Sequence, residues 1–130
     1  MNNVERQKEL RKKLDSGDDK DLFRYGACHF LALEIHLETK KKFSIRYCNS
    51  NGDDIAHVWC FDPVKQVGID ACGRSSEGKI VEFGWGPPKT MTLEQLEKTI
   101  SNLGISCLET EIRDRAKSFI AHQLIENLSV

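Results

Sequence analysis

A thiol, an imidazole and a carboxylate follow one another along the chain as Cys28, His57 and Asp70, each in a setting that suits acyl transfer. In such chemistry a cysteine thiolate attacks a carbonyl carbon, a histidine carries the proton, and a carboxylate orients the imidazole. Taken singly, the three residues have ordinary interpretations: a small buried cysteine, a histidine at a strand edge and a carboxylate at a strand end. They form a site only if the elements around them bring their side chains together.

The segment from residue 27 to 39 contains no glycine or proline and is predicted to form a helix. Its apolar residues spread around most of the circumference, as in a helix buried on several sides: Phe30, Leu31, Leu33, Ile35 and Leu37. Gly26 gives a flexible entry, so Cys28 falls in the first turn. There the unpaired N–H groups and the helix dipole favour the thiolate and lower the cysteine pKa. The backbone N–H of Cys28 could also stabilise an oxyanion.

Two strand-like runs, one beginning with His57 and the other ending with Asp70, flank an Asp-Pro turn over residues 62–65. Asp at the first position and Pro at the second favour a type I turn. A loop centred there places His57 opposite Asp70 on one face of a hairpin, with Cβ atoms roughly 4.5–5.5 Å apart. An imidazole and a carboxylate at that separation can form a hydrogen bond.

The same register sorts the hairpin into two faces. One face is small or apolar throughout, as a core face should be: Ala56, Val58, Cys60, Val67, Ile69 and Ala71. The other face carries the candidate site: His57, Trp59, Phe61, Gly68, Asp70 and Cys72. In this register Gly68 lies opposite Trp59 and leaves room for the indole.

The remaining elements are predicted from periodicity and turn residues. Helices are expected at 3–14, at 92–103 behind a Thr92/Gln95 capping box, and from Thr110 onward. Further strands are expected at 43–47 and 79–83, with a short strand or connector at 105–108. Polar or irregular loops are expected at 15–19, 49–54 and 84–88.

Length and composition favour a single domain over residues 1–130. The net charge of −1 gives no electrostatic reason to expect nucleic-acid binding. No apolar run approaches ~20 residues and the N-terminus has no apolar signal core, so a cytoplasmic location without a membrane span is expected. The cysteines are odd in number and lack a CxxC, which favours reduced thiols: Cys28, Cys48, Cys60, Cys72 and Cys107. The oligomeric state stays open.

A helix that begins at Gly-x-Cys, followed by a sheet that carries His and then Asp, resembles the papain-like and transglutaminase-like cysteine enzymes. The matching segments are 26–28, 57–59 (His-Val-Trp) and 69–70 (Ile-Asp), within a region from Tyr25 to Gly73. The resemblance and the layout together predict an α+β fold. In it, a central buried helix with Cys28 at its N-terminus packs on a small antiparallel sheet that carries His and Asp, and N- and C-terminal helices flank both.

The resemblance implies covalent acyl chemistry on a protein or peptide amide, as in a peptidase, a glutamine deamidase or a transglutaminase. Cys28 would attack the carbonyl, His57 would move the proton, and Asp70 would hold the imidazole. It also implies no cofactor and no metal. Small members of this group come from bacteria, phages and mobile elements, and some are secreted effectors. An effector of this kind would work in the cytoplasm of a target cell.

The chain departs from the papain-like pattern at one place. Those enzymes place a glutamine several residues before the cysteine to complete the oxyanion hole, and no Gln or Asn lies between Asp15 and Cys28. Tyr25, Gly26 and Trp59 are the candidates for oxyanion or substrate contacts. The short chain also favours a specialised modifier of one protein over a general protease.

Two other function classes remain open. An inactive member of the same fold could bind or inhibit a protein. A small metal or redox protein could use its cysteines, with a conceivable zinc site from Cys28, His57, Cys60 and Cys72. Cys60 is expected on the face opposite His57, which counts against that site. His29 is expected to point away from Cys28.

Overall fold

The structure is a computed structural model, and it describes residues 2–128. Within that range six helices form: α1 (Asn3–Ser16), α2 (Asp19–Arg24), α3 (Cys28–Glu38), α4 (Glu77–Ile80), α5 (Leu93–Asn102) and α6 (Ser106–Phe119). Five strands form one antiparallel sheet: β1 (Ser44–Asn49), β2 (Ile55–Asp62), β3 (Val67–Asp70), β4 (Gly73–Ser75) and β5 (Lys89–Met91). A π-helical turn (Ile120–Leu124) and a 3-10 turn (Ile125–Leu128) follow α6. The α+β class expected from the sequence is confirmed.

Helix α3 packs against strand β2 on one side and helix α6 on another. It is buried along most of its length, as its apolar circumference predicts. Its buried polar residues have partners: the Glu34 carboxylate accepts a 2.7 Å hydrogen bond from Arg113, and His36 Nδ1 lies 2.7 Å from the carbonyl oxygen of Phe43. These contacts satisfy the polar groups that the helix buries. The N-terminal residue of this fixed helix is Cys28.

The strands lie in the order β4-β3-β2-β1-β5, so the strand that carries His57 is central. Strands β2 and β3 form the expected hairpin, but its register is two residues away from the predicted one. Cys60 pairs with Ile69, and Asp62 pairs with Val67. Continuing this register places Asp70 diagonal to His57 instead of directly opposite it.

The difference in register comes from the turn. The Asp62 carboxylate accepts hydrogen bonds from the N–H groups of Val64 and Lys65, as the Asp-Pro signal predicts. The turn closes one residue later than expected, because Gln66 adopts a left-handed φ of 57° and donates its N–H to the Asp62 carbonyl. The loop therefore covers residues 63–66. Since its length is still even, His57 and Asp70 keep the same face.

The two faces of the hairpin are sorted as expected except at Ala56. Ala56 lines the cleft and packs against the buried group of Cys48, Trp59 and Ile80, because the pairing of β1 with β2 shifts by one residue beside it. Four of the six predicted core residues are buried in the main core, while Ala56 and Val67 are partly buried: Val58, Cys60, Ile69 and Ala71. Gly68 pairs with Phe61 instead of Trp59, yet a Cβ there would lie 3.1 Å from Cδ1 of Trp59 and 2.3 Å from Cδ1 of Ile80. The absence of a side chain at Gly68 does make room for the indole.

The strand predicted at 79–83 is wrong, and the segment at 105–108, expected as a short strand or connector, is largely helical. Residues 79–83 belong to the short helix α4 and the irregular loop that follows it, and only Ile80 among them is buried. Residues 105–108 begin helix α6, which starts four residues before the expected Thr110. Both segments are short and apolar, and such runs do not distinguish a strand from a turn of buried helix.

The Thr92/Gln95 capping box of helix α5 is confirmed, with both reciprocal hydrogen bonds present. Three short elements, α2, β4 and β5, were not predicted. Helix α1 extends two residues beyond its expected end, to a left-handed Gly17 that caps it. No helix between residues 2 and 128 has the length and apolar character needed to cross a membrane.

Candidate active site

The three candidate residues come together at one cleft of about 430 Å³. Cys28 reaches it from the N-terminus of α3, His57 from the start of the central strand β2, and Asp70 from the end of β3. Cys28 is 7% exposed and His57 is 5% exposed, so both sit at the cleft floor. The cleft volume lies in the range of small-molecule and side-chain binding pockets.

His57 and Asp70 form a direct contact, with 3.2 Å between His57 Nε2 and Asp70 Oδ2. Diagonal neighbours on adjacent strands are farther apart than opposed residues, but an imidazole is long enough to reach across. The other carboxylate oxygen of Asp70 accepts a 2.8 Å hydrogen bond from the backbone N–H of Cys72, which fixes the carboxylate. Because Nε2 is held by Asp70, Nδ1 is the nitrogen left to exchange a proton with Cys28.

Two tryptophan rings pack against the imidazole of His57. The ring of Trp59 stacks on it with centroids 5.7 Å apart, and Trp85 lies at 6.2 Å. The Trp59 indole N–H donates a 2.8 Å hydrogen bond to Glu77, whose carboxylate also accepts from Arg46. Trp59 is 1% exposed and does not line the cleft. Its proposed oxyanion or substrate contact is therefore wrong, since its only donor already serves Glu77 and its ring supports His57.

The first turn of α3 supplies backbone N–H groups beside the thiol. No side chain of residues 2–128 caps this helix at its N-terminus. The N–H of Ala27 donates to Leu22, and the Ala27 carbonyl accepts from Phe30 and Leu31. The N–H groups of Cys28 and His29 stand in the turn where an α-helix offers no acceptor of its own. They are the donors best placed to receive an oxyanion.

Gly26 and Tyr25 line the entrance of the cleft. Gly26 has a φ of 144°, a conformation that other residues rarely adopt, and a Cβ there would meet Leu10 at 3.2 Å. It lets the chain turn sharply from α2 into α3. Tyr25 is 51% exposed and stacks under the guanidinium of Arg24. Both residues are placed to contact a substrate.

The electrostatics of the cleft favour a thiolate–imidazolium pair. Burial alone would raise the pKa of the Cys28 thiol, but the charges and hydrogen bonds of His29 and His57 outweigh it and hold the pKa well below its usual value. Burial likewise opposes protonation of His57, yet the hydrogen bond with Asp70 and the nearby Cys28 raise its pKa to about 9.

His29 is the site residue that sequence reasoning missed. Its Nδ1 lies 3.8 Å from the Cys28 sulfur and its ring lines the cleft, so the expectation that it points away is wrong. Consecutive residues at a helix start diverge by about 100°. Cys28 and His29 can still meet because a long imidazole can bend back over the preceding thiol. The adjacent Cys-His pair was the signal in the sequence.

The other cysteines differ from Cys28. Burial raises the pKa of the Cys48 thiol to about 11. Burial also raises the pKa of Cys60, whose thiol donates to the Ala32 carbonyl on the far side of the sheet. Cys72 and Cys107 are exposed. In the described part of the chain, no group of three or more His, Cys, Asp or Glu side chains is arranged to hold a metal ion.

Comparison with protein-family models, with curated proteins and with solved structures finds no match to this chain. The chemical interpretation of the cleft therefore depends on its own geometry.

Proposed function

We propose that this protein is a thiol-dependent acyl-transfer enzyme that acts on a protein or peptide amide through Cys28, His57 and Asp70. One observation carries the proposal: a cysteine with a lowered pKa, a histidine with a raised pKa and a carboxylate 3.2 Å from that histidine share one cleft. Perturbed titratable groups that cluster in a cleft are typical of catalytic sites. The five free cysteines suit a reducing compartment such as the cytoplasm.

The proposed reaction begins when the Cys28 thiolate attacks the amide carbonyl carbon and forms a C–S bond. Negative charge moves to the carbonyl oxygen, where the N–H groups of the first turn of α3 stabilise it. Collapse of this intermediate breaks the C–N bond, and the His57 imidazolium gives its proton to the leaving amine. Water or a second amine then attacks the thioester, His57 accepts a proton from it, and Cys28 leaves as thiolate.

The arrangement of elements supports placing the chain beside the papain-like and transglutaminase-like enzymes. In both, a helix carries the nucleophile at its N-terminus and packs on an antiparallel sheet that carries the base and the orienting carboxylate. Here these parts are α3, β2 and β3. The first-turn N–H groups can serve as oxyanion donors without the glutamine that the papain-like pattern uses.

The proposal is tested by incubating the protein with a library of glutamine-containing peptides and a primary amine in heavy-oxygen water. Peptide cleavage or deamidation incorporates one heavy oxygen, whereas transamidation releases ammonia and adds the mass of the amine less that of ammonia. We expect one of these products with the wild type, none with Cys28→Ala, and unchanged product with Cys107→Ala. Equal product from wild type and Cys28→Ala would refute the assignment of the nucleophile.

A second function, a protein-binding module without turnover, is favoured by one feature of the cleft rim. The loop after α4 carries a fully exposed Phe83, and the half-exposed Tyr25 lies at the cleft entrance. Exposed aromatic residues are enriched in protein interfaces. A binding module would show no product in the library assay, and its Cys28 would form no acyl adduct.

A further inference from the structure

The side chains that line the cleft around Cys28 include more cations than carboxylates, whereas the complete chain has a slight excess of negative charge. Its lining includes three cationic side chains, those of Arg6, Arg24 and Lys79. Apart from Asp70, which is engaged with His57, the only carboxylate among the lining residues is Glu82. The complete chain has a net charge of −1. Positive charge is therefore concentrated at this cleft against the overall sign of the protein.

These cations are not neutralised by neighbouring carboxylates. Between residues 2 and 128, no ion pair involves any of the three. Arg6 donates to the carbonyl oxygen of Leu103 and the side-chain oxygen of Asn3, both neutral, and Arg24 lies 5.1 Å from the centroid of the Tyr25 ring. A guanidinium that faces neutral acceptors or an aromatic ring keeps its full charge.

The three cations belong to different elements that meet at the cleft. Arg6 and Arg24 belong to α1 and α2, next to the entry into α3, and Lys79 belongs to α4, beyond the end of the sheet strand that carries Asp70. A substrate that brings its carbonyl to Cys28 therefore enters a cleft that these three positive groups line. Clefts lined by charge of one sign concentrate ligands of the opposite sign.

We infer that the acyl donor is an acidic peptide segment, with carboxylate side chains near the reacting amide. This inference rests on the proposed function, since it names the substrate class of the same site. Arginine and lysine at the cleft rim would bind these carboxylates and hold the carbonyl over the thiol. A basic segment would meet repulsion from Arg24 and Lys79.

The test uses two alkylating reagents of similar size, iodoacetate and iodoacetamide. In both reactions the thiolate forms an S–C bond and iodide leaves, so the ratio of their rates reports the local potential. Rates at Cys28 are measured by mass mapping and compared with the same ratio for 2-mercaptoethanol, a neutral thiol. We expect the ratio at Cys28 to favour iodoacetate over the free-thiol value, and added salt to reduce this preference.

Charge variants make the test specific. A unit charge about 7 Å away in water changes the local concentration of a charged reagent by roughly two- to threefold. We expect Arg24→Gln and Lys79→Gln each to lower the iodoacetate preference by roughly that factor, and Glu82→Gln to raise it. Lys117→Gln is the matched control, because Lys117 lines a separate groove with Glu34.

Two unfavourable results have different meanings. If Cys28 reacts readily but its ratio equals or falls below that of the free thiol, or changes as much in the Lys117 control, the acidic-substrate inference is overturned and the enzyme proposal stands. If Cys28 reacts with neither reagent faster than the exposed Cys107, the proposed function itself is refuted, and the inference is refuted with it.

Discussion

Replacing Asp70 with asparagine should weaken the charge pair at the cleft while leaving the backbone in place. Asparagine has the same shape and keeps a side-chain oxygen that can accept the 2.8 Å hydrogen bond from Cys72. The change replaces the carboxylate oxygen that faces Nε2 of His57 at 3.2 Å with an amide NH2 group, so it removes both the negative charge and the acceptor for the Nε2 proton. Both side chains are nearly buried, so solvent screens this charge poorly.

The size of the effect follows from the pKa of His57, which lies at about 9 instead of 6.5. That difference corresponds to roughly 3 kcal/mol of preferential stabilisation of the imidazolium. Burial works against the protonated form, and the hydrogen bond with Asp70 is the largest contribution in its favour, ahead of that from Cys28. We expect Asp70→Asn to lower the pKa of His57 by at least one, a roughly tenfold change in the protonation equilibrium.

Loss of the imidazolium should also raise the apparent pKa of the Cys28 thiol, because His57 can stabilise the thiolate only while it is protonated. The pH range in which the Cys28 thiolate and the His57 imidazolium coexist then narrows. Its lower limit rises with the pKa of Cys28, and its upper limit falls with the pKa of His57. Two assays check this: the pH profile of iodoacetamide labelling at Cys28, and the titration of the His57 ring protons by NMR. Asp114→Asn, which removes one charge from the outer face of α6, is the control. Equal shifts in both variants would refute the assignment of Asp70.

Three other changes have expected outcomes. His29→Asn should raise the apparent pKa of Cys28 in the labelling profile, because the imidazole 3.8 Å from the sulfur supports the thiolate. Gly68→Ala should lower the free energy of unfolding in urea by about 1–3 kcal/mol, since its Cβ would collide with packed side chains. Arg113→Ala should cost about 1–3 kcal/mol in the same assay, because it leaves the carboxylate of the buried Glu34 unpaired.

Each of these changes has a matched control. His122→Asn alters a histidine in the π-helical turn outside the cleft and should leave the Cys28 profile unchanged. Gly78→Ala places a Cβ where no other atom lies within 4 Å, so the free energy of unfolding should stay the same or rise. Arg11→Ala removes two exposed ion pairs, with Asp15 and Glu111, and should cost less than about 1 kcal/mol. A control that matches its test variant would contradict the corresponding argument.

The sequence alone predicted that His57 and Asp70 lie on one face of a hairpin. The face that each residue occupies depends only on whether the loop length is even or odd. The sequence was not sufficient to set the register. That depended on Gln66, an ordinary residue that takes a left-handed φ and moves the end of the turn by one residue. The contact with Asp70 survives because an imidazole reaches a diagonal neighbour as well as an opposed one.

The helix of Cys28 was predictable for a similar reason, since its apolar circumference and Gly26 locate both the burial and the N-terminus. Tertiary contacts determine the roles of Trp59 and His29, which the sequence did not predict. Trp59 was expected at the substrate, but Glu77, from a segment whose helix was not foreseen, binds its indole N–H. His29 was expected outside the site, yet its ring lines the cleft. The partner of Trp59 lies 18 residues away and leaves no local pattern, whereas the adjacent Cys28-His29 pair was a local signal.

The central claim is that Cys28 exists as a thiolate paired with protonated His57 near neutral pH. The most direct measurement is the pH dependence of thiolate absorbance, taken as the difference between the wild type and Cys28→Ser, and repeated in His57→Ala. We expect an apparent thiol pKa well below ~8.5 that rises when His57 is removed. A thiol that titrates at or above that value, or one that His57→Ala leaves unchanged, would contradict the account.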